Sequence, residues 1–94
     1  MKSLLQKVRQ QWKLFLCSHR ANKALAEGVR CIRQDDYEHA LNHYNTAYEY
    51  IMQKFLIVEG DQKKSERIKL EGLSQQIDKI TQHFYLDSSV KVDQ

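Results

Sequence analysis

The chain has 94 residues, 41% hydrophobic and 29% charged, with three glycines and no proline. That length holds one domain with a small core. The shortage of turn-forming residues excludes an all-β fold and argues against an α/β enzyme. The formal net charge is +3, yet residues 1–26 carry six basic side chains and no acidic one, whereas residues 27–94 carry nine basic and twelve acidic. A basic leader before a mildly acidic body is not the footprint of a nucleic-acid binder, because the body repels phosphate.

Residues 1–19 form a basic amphipathic extension. Leu5, Val8, Trp12, Phe15 and His19 recur at steps of three and four, so they share one helical face, with Leu4 and Leu16 beside them. Three readings of this leader stay open. It extends the first helix, or adds a helix, by packing its apolar face on the rest of the chain. It lies on an anionic membrane through Lys2, Lys7, Arg9, Trp12, Lys13 and Phe15. Or it is a mitochondrial presequence, a reading weakened by its lysine and glutamine content. Cys17 and Cys31 stand fourteen residues apart and form no C-x-x-C pair, which suits two thiols in a reducing compartment. No apolar run is long enough for a membrane span.

Residues 20–33 continue the helical pattern through Ala21, Leu25, Gly28 and Ile32. The small side chains there (Ala21, Ala24, Ala26, Gly28) let a neighbouring helix approach closely. One long helix and two helices broken near Ser18 fit equally. Asp35 or Asp36 then caps a second helix, with Glu38 placed three after Asp35 as in a capping box. Its stripe runs Tyr37, Ala40, Leu41, Tyr44, Ala47, Tyr48, Ile51, Phe55 and Val58. Val58 to Asp61 closes it, with Gly60 as its left-handed cap and Asp61 opening a third helix. That helix carries Leu70, Leu73, Ile77, Ile80 and Phe84 at steps of 3, 4, 3, 4. Gly72 marks either a close backbone approach or simple tolerance, and tolerance is the better reading. Residues 87–94 lack helical periodicity and are expected to form a flexible tail. The expected architecture is all-α: an antiparallel three-helix bundle over residues 20–86 with an N-terminal amphipathic helix or helix extension.

The run from Asp35 to Tyr50 resembles the second helix of MIT (microtubule-interacting and trafficking) domains: an acidic turn, then Tyr37, Ala40, Leu41 and Tyr44, then Ala47. Ala24-Leu25 and Gly28-Val29 suit the family's first helix, and residues 68–80 its third. Tetratricopeptide repeats carry a similar signature. Stacking them takes about three units of about 34 residues, whereas the motif occurs once here.

The resemblance implies a cytoplasmic, endosome-associated adaptor that binds short helical or extended peptides of ESCRT, endosomal-sorting or autophagy proteins in a groove between helices. It implies no cofactor and no enzymatic activity. The groove expected from it sets Ile77, Ile80, Thr81 and Phe84 against Tyr48, Met52 and Phe55. Thr81 stands where the family often has a glutamate that pairs with a partner arginine, and Ile80 stands where it has a smaller alanine. A tetratricopeptide-like scaffold subunit and a membrane-surface protein are the alternatives. No nucleophile–base pair, phosphate-cradling glycine loop or paired carboxylate is recognisable. His39 and His43, four apart, lack a third ligand and so make a weak metal site. They are expected on a solvated face.

Overall fold

A computed structural model describes residues 4–92, with side chains for residues 4–84. It contains three helices: α1 (Leu4–Arg33), α2 (Tyr37–Ile57) and α3 (Gly60–Val92). The fold is the expected three-helix bundle.

α1 is one unbroken helix. Nothing near Ser18 breaks it, since its only glycine, Gly28, lies deep in its second half. It ends in a Schellman turn. The Asp35 N–H donates to the Ile32 carbonyl at 3.0 Å and the Asp36 N–H to the Cys31 carbonyl at 2.9 Å. Asp35 occupies the left-handed position of that turn, with φ 58°. Because an L side chain there is strained, Asp35→Gly is expected to stabilise the fold by about 0.5–1 kcal/mol, read as a higher urea midpoint.

With Asp35 committed to the turn, Asp36 is the cap of α2. Its carboxylate accepts from the His39 N–H at 3.3 Å. The capping box expected of Asp35 and Glu38 therefore does not form. The third helical residue after the true cap is His39, whose Nδ1 lies 2.8 Å from Asp36 Oδ2.

This contact lowers the Asp36 carboxyl below 3.8, chiefly through the hydrogen bond from the His39 ring. The same bond raises the His39 imidazole above 6.5. The stabilisation from His39 is complete below its unfolded value and fades as pH rises through the raised folded value. That from Asp36 is present above its unfolded value and fades as pH falls through the depressed one. An NMR titration is expected to place the His39 midpoint above 6.5, and Asp36→Asn to bring it back down.

α2 closes at Val58, in extended conformation, whose N–H donates to the Lys54 carbonyl at 3.0 Å. Gly60 is left-handed, with φ +64°, but it opens α3 rather than capping α2. α3 then runs past Leu86 to Val92, so residues 87–92 continue the helix instead of forming a non-helical tail. The chain offers no glycine or proline after Gly72 to stop it. Asp93 and Gln94 lie outside the described residues.

α2 is the central element. Cys17 meets Gln53, Arg20 lies over the Tyr50 ring, and Gly28 faces the Tyr44 ring, so α1 runs antiparallel to α2. Lys63 over the Phe55 ring, Glu66 at Lys54, and His83 on Tyr37 set α3 antiparallel on another side. The core is Ala21, Ala24, Cys31, Ala40, Tyr44, Ala47, Ile51, Leu70, Leu73 and Ile80. The small residues of α1 do bring α2 close: a Cβ added at Gly28 would sit 3.2 Å from the Tyr44 ring. Burial raises the Tyr44 phenol above 10.0.

No Cα of α1 comes within 8 Å of one in α3 among the described residues, so the backbones of these two helices stand apart on either side of α2. The molecule is elongated, 64 × 21 × 16 Å. Cys17 already lies level with Gln53, near the end of α2, so the first turns of α1 run past it.

Candidate functional site

Three surfaces follow from this arrangement. The first is a groove of about 540 Å³ between α1 and α3. Ala21, Asn22 and Leu25 form one wall, Gly72, Leu73 and Gln76 the other, and Ile51 and Lys54 of α2 the floor. It exists because the backbones of α1 and α3 stand apart. A Cβ added at Gly72 meets nothing within 4 Å, so Gly72 leaves the wall open and serves no close approach.

Glu66 sits in this groove and is 6% exposed. Its Oε1 is 3.0 Å from Lys54 Nζ and 3.3 Å from Lys69 Nζ. Its Oε2 is buried and has no hydrogen-bond partner. A buried carboxylate oxygen left unpaired is costly, so a donor from outside the chain gains by reaching it. The sequence reading did not single out Glu66 or Lys54. The signal was present: Glu66 precedes Leu70 by four residues and so lies on the same seam as Leu73, Ile77 and Ile80. A charge on an apolar seam is the mark of a paired or functional group.

The second surface lies between α2 and α3. It brings Tyr48, Met52 and Phe55 together, as expected, in a groove of about 460 Å³. The α3 residues facing them are Arg67, Leu70, Glu71, Ser74 and Gln75. Ile77, Ile80, Thr81 and Phe84 are not brought to this groove. The pairing of Phe55 with Lys63 and of Tyr37 with His83 sets them level with the first half of α2. Ile80 is 4% exposed and spent in the core, Ile77 packs against that core, and Phe84 is half-buried. The Thr81 hydroxyl donates to the Ile77 carbonyl at 2.7 Å. Helical phase was read correctly there, but the register between α2 and α3 was not, because periodicity carries no information on how far two helices slide.

The third surface is the outer face of α1. Leu4, Leu5, Val8, Trp12 and Phe15 are 54–80% exposed. The reading in which this leader packs its apolar face on the bundle does not hold. Leu14 and Cys17 carry the packing instead, and each follows Trp12 or Phe15 by two residues, about 200° further round the helix. Lys7, Arg9 and Lys13 are exposed beside the stripe; Lys2 lies outside the described residues.

No family model, curated protein or solved structure matches the chain. The likeness to MIT domains therefore rests on the residues quoted for it.

Cys17 and Cys31 are free, buried thiols. Fourteen residues of one helix separate them by about 21 Å, which rules out a disulfide between them. His39 is exposed, but His43 is half-buried rather than fully solvated. Among the described residues no three His, Cys, Asp or Glu side chains gather as a metal site. No helix among them is long and apolar enough to cross a membrane.

Proposed function

We propose that the chain is a non-enzymatic interaction module that takes a short peptide of a partner protein along the groove between α1 and α3. The observation that carries this reading is Glu66 Oε2, buried at the groove and without a partner. The walls supply apolar contact from Ala21, Leu25 and Leu73. The peptide that fits is apolar with one neutral hydrogen-bond donor, an amide or a hydroxyl. Lys54 and Lys69 already flank the carboxylate, and a third cation would be repelled by them.

This departs from an arginine-bearing ligand, in keeping with Thr81 in place of a glutamate. The resemblance to MIT domains makes the tails of ESCRT and autophagy proteins, and hence an endosomal setting, the first to test.

The experiment is fluorescence anisotropy with a panel of such tail peptides. Gly72→Trp fills the groove from a position with open space around it. It is expected to weaken binding more than tenfold with unchanged helical circular dichroism, while Met52→Asp, in the α2/α3 groove, leaves binding intact. Loss with Met52→Asp but not with Gly72→Trp would move the site to the α2/α3 groove. A panel without a single binder would count against the peptide module.

A further inference from the structure

We infer that the outer face of α1 docks on an anionic lipid surface. Leu4, Leu5, Val8, Trp12 and Phe15 form a continuous exposed apolar stripe. Most of it points away from the bundle, since the packing face of α1 is Leu14, Cys17, Ala21, Ala24 and Gly28 on the opposite side; Phe15, at its edge, is 60% exposed and also borders a shallow groove with Val58, Gln62 and Ser65. The Trp12 and Phe15 rings stack at 5.6 Å, and Phe15 and His19 at 6.4 Å, giving the stripe an aromatic rail suited to the headgroup level.

The choice of a lipid surface over another occupant rests on charge. α1 carries seven basic side chains and one acidic one, Glu27, which is itself paired with Arg30. Residues 34–94 carry seven basic and eleven acidic side chains. The protein is therefore polarised, with a cationic helix on one side and a net negative α2–α3 layer behind it. An anionic bilayer attracts the first and repels the second, which orients α1 towards the lipid. A second copy docked on the same stripe would set two strongly cationic helices against each other. Lys23, Arg30 and Arg33 extend the basic face beyond the leader that the sequence pattern marked. A helix of this kind lies in the interface, its apolar face about 5–10 Å deep, and does not span it.

The test uses the full chain with vesicles of phosphatidylcholine alone and vesicles containing phosphatidylserine. Trp12 is the only tryptophan and reports insertion directly. The expected result is co-sedimentation at least tenfold stronger with phosphatidylserine, a blue shift of Trp12 emission on binding, and weakening by added salt. Val8→Ser with Phe15→Ser is expected to remove the blue shift, and Arg9→Glu with Lys13→Glu to remove the preference for phosphatidylserine. These side chains are exposed, so helical circular dichroism is unchanged in both variants. Equal partition into both vesicles, no binding to either, or binding unaltered by Val8→Ser and Phe15→Ser would overturn the inference. So would a lipid-free dimer, seen by sedimentation, in which Trp12 is already shielded.

Discussion

Tyr44→Ala is expected to destabilise the protein by about 3–5 kcal/mol, the range for deleting a large buried aromatic side chain. Tyr44 is 5% exposed and its ring lies against Gly28, where α1 and α2 come closest. The neighbours on its own helix, Ala40 and Ala47, are fully buried and too small to move into the vacated space. A domain of this size has only roughly 5–15 kcal/mol of stability, so the variant is expected to be partly unfolded on mild warming. The reciprocal change, Gly28→Val, drives branched carbons into a ring that a bare Cβ would already meet at 3.2 Å. Its expected cost is about 1–3 kcal/mol from overpacking. Urea denaturation followed by circular dichroism measures both. A loss under about 1 kcal/mol for Tyr44→Ala would mean that the α1–α2 contact is not centred there.

Lys54→Met is the second large effect. Its side chain is 15% exposed and that of Glu66 8% exposed, so both charged side chains have given up most of their water. Removing one partner of such a pair typically costs about 3–5 kcal/mol, because the other charge remains buried and uncompensated. Lys69 still reaches Glu66 Oε1 at 3.3 Å, which places the expected loss near the lower end. The double variant Lys54→Met with Glu66→Leu is expected to recover that loss, since a well-packed apolar pair avoids desolvation altogether. If Lys54→Met were neutral, Glu66 would not be left as a costly uncompensated charge; if the double variant were worse than the single, Glu66 would be stabilising the fold without Lys54; either result would strip the unpaired oxygen of its significance for binding. The double variant is also expected to fold well while failing to bind peptide, which separates the role of Glu66 in recognition from its role in folding.

Much of the fold was legible because each helix is punctuated locally. The Asp35-Asp36 pair, Gly60 and the apolar stripes placed all three helices and their links. Local signals left the choice between Asp35 and Asp36 open. The Schellman turn settled it by using Asp35 as a left-handed residue, which hands the cap to Asp36 and puts His39 rather than Glu38 at the reciprocal position.

Long-range features were less legible. The stripe from Leu5 to Phe15 was read correctly as one face, but a sequence does not say which of two faces a helix buries. The small residues Cys17, Ala21, Ala24 and Gly28 won that contest because they let α2 approach, leaving the larger side chains outside. The slide between α2 and α3 was equally invisible, so Tyr48, Met52 and Phe55 share a groove with Arg67 and Leu70 rather than with Ile77 and Phe84. Glu66 was hidden for a simpler reason: a charged residue read by composition counts as surface, and only its spacing from Leu70 betrays its place on the seam.

The central claim is that α1 and α3 flank α2 within one molecule with their backbones held apart, which opens the groove. Cysteine cross-linking tests it most directly, using Asn22→Cys with Gln76→Cys across the groove in a chain whose Cys17 and Cys31 are replaced by alanine. A flexible bismaleimide is expected to join the two positions within a monomer, while an oxidant forms no direct disulfide, because backbones more than about 7 Å apart cannot be bridged that way. Rapid disulfide formation would mean a closed groove, and cross-links found only in dimers would mean that the helices are completed by a second copy; either result would contradict the account.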